Sequence, residues 1–111
     1  MSWWTGQNGT LVQYLTHTVP RAASGYVKSG PVAFQGLLVK TDNVNDVEFS
    51  VYDSTSNAGI LLIPDAFSVP GTANLWSFSL DLPIMAWTGI YVDMSVAGGG
   101  TAKYQVLYDE G

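Results

Sequence analysis

Hydrophobic residues recur at every second position through most of this chain, the spacing of strands that bury one face. Between residues 74 and 82, Trp76, Phe78, Leu80 and Leu82 alternate with Ser77, Ser79 and Asp81, which predicts a strand whose even positions point inward. Val47, Phe49 and Val51 repeat the pattern, and Ile90, Val92, Met94 and Val96 do so around Tyr91, Asp93 and Ser95. Ala102, Tyr104, Val106 and Tyr108 close the series. Residues 11–16 and 32–40 are partly apolar on both faces, as expected of strands covered on both sides. The run Ile60, Leu61, Leu62, Ile63 has room for one short buried strand.

Turn-forming residues fall between these runs: Ser24-Gly25, Gly30-Pro31, Asp42-Asn43, residues 54–59, Pro70-Gly71 and residues 98–100. No segment offers the helical crossover of a dozen or more residues that parallel strands require. The expected fold is therefore all-β, a small antiparallel β-sandwich or jelly roll of seven or eight short strands. Residues 83–87 read as a loop or a bent strand start, and residues 64–70 as a loop tucked onto the sheet by Phe67. Pro31 and Pro83 belong at strand ends, where a missing N–H does little harm. The glycines at 98–100 read as the tip of a final hairpin joining residues 91–96 to 101–108.

A chain of 111 residues is long enough for one core and too short for two. Residues 1–9 differ from the rest and read as an N-terminal arm preceding a single domain over residues 10–111. Two adjacent tryptophans, Trp3 and Trp4, stand in that otherwise polar segment. Neighbouring side chains of an extended chain point to opposite sides, so both rings cannot enter one sheet face. They pack either on the ends of their own domain or on a neighbouring subunit, where Trp is a preferred anchor.

Composition sharpens the picture. Charged residues make up 12% of the chain, against about 25% in ordinary soluble domains; so neutral a surface favours lasting contacts with copies of itself or a partner. The four cations, Arg21, Lys28, Lys40 and Lys103, are dispersed against nine carboxylates for a net charge of −5. Without a basic cluster, binding to nucleic acid or to an anionic membrane is disfavoured. The absence of cysteine excludes disulfides, thiolate metal sites and a cysteine nucleophile. No secretory signal is visible at the start, so synthesis in the cytoplasm is expected. The longest apolar runs fall far below the ~20 residues of a membrane-spanning helix.

Candidate chemistry is sparse. His17 is the only histidine and forms no nucleophile motif with Thr16 or Thr18, which makes a structural role the expectation. The residues 42–46, Asp-Asn-Val-Asn-Asp, resemble a calcium loop only in composition, lacking the alternate spacing and the distal glutamate; they suit a side-chain-closed turn. Glu48, Asp81 and Asp93 fall on outward positions without the burial that raises a catalytic acid's pKa. The glycines at 98–100 lack the Lys-Ser/Thr and helix of a phosphate loop. No catalytic residue, cofactor or metal is expected, and the chain reads as a non-enzyme. Trp76, Tyr104 and Tyr108 belong to the inward register, which leaves Trp3, Trp4, Tyr26, Trp87 and Tyr91 as surface aromatics and candidate interface residues.

From residue 29 to residue 108 the chain resembles small structural proteins encoded beside the capsid genes of tailed bacteriophages. The resemblance lies in Gly36-Leu-Leu-Val, Val51-Tyr-Asp-Ser, Gly59-Ile, Leu82-Pro-Ile, Thr88-Gly-Ile-Tyr-Val92 and Tyr104-Gln-Val-Leu-Tyr108. It implies a head decoration or cement protein of the virion, often a homotrimer, that binds the major capsid protein on the outer capsid surface and ties capsomers together. The alternatives are a carbohydrate- or receptor-binding module of a tail fibre, and a tail or head–tail connector component that forms rings or tubes.

Overall fold

Side-chain alternation sorts the chain into two inner faces that pack on each other. The computed structural model describes residues 2–5, 11–14 and 16–109, the first two stretches as backbone alone. The strands are β1 (Ser2–Thr5), β2 (Leu11–Tyr14), β3 (Thr16–His17), β4 (Gly25–Ser29), β5 (Val32–Thr41), β6 (Val47–Asp53), β7 (Ile60–Leu61), β8 (Phe67–Val69), β9 (Leu75–Ala86), β10 (Gly89–Val96) and β11 (Ala102–Asp109). The first sheet runs β3–β11–β5–β9, and the second β4–β10–β6, with β7 and β8 sharing the far edge of β6. Strands β1 and β2 pair with each other as a two-stranded ribbon. All these pairings are antiparallel. The fold is the expected all-β sandwich. Its two sheets hold nine described strands, more than the seven or eight expected, because β3, β7 and β8 are pieces of only two or three residues.

The predicted inward positions of β6, β10 and β11 form the core. Val47, Phe49, Val51, Ile90, Val92 and Val106 are fully buried, and Tyr104 nearly so. From the first sheet Leu37 and Val39 of the central strand β5 join them. Phe49 stands between the layers, stacked on Phe67 at 5.7 Å and edge-on to Tyr104 at 5.7 Å.

Five local expectations are corrected. Leu82 is 81% exposed, because Phe34 pairs with Ile84 and Gly36 with Ser79. Residues 80–83 thus lie opposite Gln35 alone and the alternation loses its phase. The Gln35 amide occupies this irregularity, its Nε2 donating to Ser79 Oγ at 3.3 Å and to the Leu80 carbonyl. Pro83 accordingly sits inside β9, in a stretch without β5 partners where its missing N–H breaks no ladder bond, and residues 84–86 resume the strand. Ile60 is 73% exposed, since only Ile60 and Leu61 pair with the end of β6. Residues 98–100 are no hairpin tip: β10 belongs to the second sheet and β11 to the first, so the glycines carry the chain between layers. Residues 67–69 of the expected loop form β8, with Phe67 turned into the core as predicted.

Connections close the sandwich on three sides. At one end residues 42–46, 70–74 and 97–101 each cross between the sheets. Thr41 N donates to Asn74 O (2.8 Å), Thr41 Oγ1 to Gly71 O (2.5 Å), Gly71 N to Asp46 Oδ1 (2.8 Å) and Ala97 N to Asp46 O (3.0 Å), tying the three together. At the opposite end the crossings after β4 and β9 meet where Gly30 N donates to Thr88 O at 3.0 Å. Along one long side, residues 18–24 run beside β11, with Arg21 and Tyr104 exchanging backbone bonds of 2.9 Å, before crossing to β4. The fourth side, between β9 and the β7–β8 edge, is spanned by no connection among the described residues.

Candidate interaction surfaces

The unspanned side holds a groove of about 390 Å³ lined by Leu62, Phe67, Trp76, Phe78, Leu80 and Ile84 among others. Its origin is local. Trp76, Phe78 and Leu80 occupy inward positions of β9, but β9 is an edge strand and only the short β7 and β8 face it, so these side chains stay half-buried. The rings make a continuous cluster, with Phe67 6.0 Å from Trp76 and 5.6 Å from Phe78, and Trp76 5.6 Å from Phe78. Trp76, expected in the core, is thus a wall of the groove. Leu82, Ile84 and Met85 of β9 are exposed beside it. Such a site offers apolar contact and an unpaired strand edge, and it gathers no groups for acid–base work.

A second surface collects the predicted aromatics. Val51 and Val92 point inward, so their neighbours Tyr52 and Tyr91 point outward. Tyr91 lies opposite Tyr52 on β6 and Tyr26 on β4, and its ring meets that of Tyr52 edge-on at 6.4 Å. Trp87, 71% exposed, projects from the turn after β9. Asp53 holds that turn by accepting from the amides of Trp87 (3.0 Å), Thr88 (2.8 Å) and Gly89 (3.2 Å), and Tyr26 Oη donates to Thr88 O at 2.8 Å. Tyr26, Tyr91 and Trp87 therefore share one end of the second sheet, as sequence reasoning did not foresee. Tyr52 was missed, although its position one residue after inward Val51 was the signal that places it outside. The side chains of Trp3 and Trp4, and residues 1 and 6–9 of the arm, lie outside the described residues.

The titratable groups hold backbone. Asp42 Oδ1 accepts from the amides of Val44 (2.9 Å) and Asn45 (2.7 Å), and Oδ2 from Asn45 Nδ2 (2.7 Å) and Thr101 N (3.1 Å). These bonds, the Asn45 amide foremost, hold the Asp42 carboxyl well below the usual carboxylate range. The 42–46 segment is a side-chain-closed turn, and among the described residues no three His, Asp or Glu side chains gather around a common point. Gln105 Nε2 lies 2.9 Å from His17 Nδ1 and donates to Thr18 O at 3.1 Å, which uses His17 to fasten β3 to β11. Burial pushes the Tyr104 hydroxyl's pKa up, and that hydroxyl donates to Ala23 O at 2.9 Å. Glu48, Asp81 and Asp93 face outward as predicted. Neither protein-family models nor curated proteins nor solved structures yield a match to this chain.

Proposed function

We propose that this chain is a structural protein of a bacteriophage virion, a decoration or cement protein that works as a homotrimer on the outer capsid surface, binds the major capsid protein and stabilises the head. The observation that carries the reading is the unspanned side of the sandwich. A cementing protein needs a stiff scaffold and an adhesive surface, and here a sandwich closed on three sides presents one apolar groove beside the free edge of β9. The low charge of the chain, 12%, lowers the desolvation cost of covering such a face. Each copy contributes a modest interface, and attachment through several copies multiplies it. In this reading the chain is made in the host cytoplasm and resides in the virion.

Purified protein added to expanded capsids lacking it tests the proposal by cosedimentation and by reconstruction of the particle. Saturable occupancy is expected, weakened by Leu82→Asp combined with Met85→Asp and by deletion of residues 1–9, with the fold retained. Full occupancy by both variants removes the groove side and the arm from the proposal. Location of the chain in the tail or connector refutes it.

The row of Tyr26, Tyr91 and Tyr52 beside Trp87 favours a second reading, a carbohydrate-binding module of a tail fibre, since flat rings stack on sugar faces. It predicts saturable glycan binding by the isolated domain, abolished by Trp87→Ala. Glycan arrays without signal dismiss it.

A further inference from the structure

We propose that copies of this chain associate head to tail through their outer sheet faces, the Lys40–Lys103 row of one copy seated on the Glu48 and Asp93 side chains of the next. The proposal goes beyond the capsid reading and does not depend on it.

The dispersed cations of the sequence become a pair once register is known. Lys103 of β11 lies directly opposite Lys40 of β5, and both face outward because Val39 and Tyr104 beside them face in. Like charges directly opposite destabilise a sheet unless something answers them. Among the described residues Lys40 Nζ donates to neutral acceptors alone, Thr41 O at 3.1 Å and Asn74 Oδ1. Among the described residues no carboxylate pairs with either lysine. Of the acids on this sheet, Asp109 ends β11 six residues from Lys103, ~20 Å along the strand, and Asp81 sits in the irregular stretch of β9. Around the lysines the face presents Leu38, Gln105, Leu75 and Ser77, and His17 stands further along, opposite Leu107.

The outer face of the second sheet carries the opposite sign. Glu48 lies opposite Ser95 and Asp93 opposite Ser50, which makes the two carboxylates diagonal neighbours ~7–8 Å apart. Asp93 accepts from Ser24 Oγ at 3.1 Å. Among the described residues no cation shares this face: Arg21 reaches Tyr104, and Lys28 lies 4.7 Å over the Tyr108 ring. The two faces also match in height, because the short 42–46 turn joins the Lys40 end of β5 to the Glu48 end of β6. A second copy shifted along the sheet normal lays lysines on carboxylates, and Leu107 over the Tyr52–Tyr91 pair further along. Different patches meet in such a contact, so it propagates and does not close at two copies. The net charge of −5 opposes it at long range, which keeps it weak until copies are concentrated on a surface.

Sedimentation of the full chain across a concentration series tests this with two variants. Lys40→Glu with Lys103→Glu keeps a like-charge pair at the same register, so the fold persists while association weakens roughly tenfold or more. Glu48→Lys with Asp93→Asn disables the other face to a similar extent, and the amide oxygen introduced by Asp93→Asn still accepts from Ser24. Each variant alone associates that much more weakly than wild type, whereas an equimolar mixture sets the native lysine face of one on the native carboxylates of the other and restores pairing. Should the glutamate variant unfold, Lys40→Gln with Lys103→Gln replaces it. A monomeric wild type at millimolar concentration overturns the proposal, as does association unchanged by both variants, or a mixture that fails to pair. Capsid occupancy through the β9 side survives these charge changes, so the failure of either idea is visible separately.

Discussion

Truncating Phe49 to alanine measures the central claim about packing. Its side chain is fully buried, stacked on its same-sheet neighbour Phe67 and edge-on to Tyr104 of the facing sheet, each at 5.7 Å. Removing a phenyl ring from such a site costs ~3–5 kcal/mol in lost transfer energy and residual cavity, a figure that includes ~0.5–1.5 kcal/mol for each aromatic pair. A chain of 111 residues has a total stability of roughly 6–17 kcal/mol, so the substitution removes a third or more of it in most of that range. At ~4 °C per kcal/mol the melting temperature falls by ~12–20 °C. Leu82→Ser is the matched control: hydrophobic alternation assigns Leu82 inward like Phe49, whereas the register leaves it 81% exposed, and its loss changes stability by ~0.5 kcal/mol or less. Urea titrations followed by tryptophan fluorescence and circular dichroism read both. The reasoning fails if Phe49→Ala lies within ~1 kcal/mol of wild type, or if Leu82→Ser costs more than ~2 kcal/mol.

Asp53→Ala strips three amides of their acceptor and costs ~1–3 kcal/mol; amide hydrogen exchange speeds up at Thr88 and Gly89 while Phe49 stays protected. Because the folded Asp42 carboxyl titrates below its unfolded value, its stabilisation is complete above about pH 4 and is lost as the pH falls further. Thermal melts between pH 2 and 7 should show a steeper acid loss for wild type than for Asp42→Asn. Tyr104 titrates above its unfolded value of about 10, so its contribution is full below that pH and declines above it as the unfolded chain ionises first. Urea titrations between pH 9 and 11 are expected to show a shallower alkaline decline for Tyr104→Phe.

Strand identity was legible where alternation ran unbroken. The inward sets of β6, β10 and β11 follow from period two alone, because burial on one face is what that period records. The phase slip in β9 was not legible, since Gln35 against residues 80–83 is a property of pairing, and Pro83 hinted at an irregularity without locating it. The correction at 98–100 has the same root: alternation says which face a side chain takes but not which strand lies alongside, and strands consecutive in the chain are often, but not always, neighbours in a sheet. Ile60 shows that a short apolar run carries no direction of its own. For the candidate surfaces, Tyr26, Trp87 and Tyr91 could be named from exposure arguments, but their proximity needed the β4–β10–β6 order. Lys40 and Lys103, 63 positions apart in the chain by number, become one feature only when β5 and β11 are set side by side.

The mouth between β9 and the β7–β8 edge has a thermodynamic corollary. Elsewhere the chain's own path must be displaced before water reaches the interior, whereas here Trp76 and Phe67 are screened by whatever happens to rest on them. A guest in that opening favours the native over the unfolded ensemble in proportion to its own affinity and concentration. Thermal denaturation thus doubles as a label-free titration of the opening, and a ligand can be recognised by the heat resistance it confers before its identity is known.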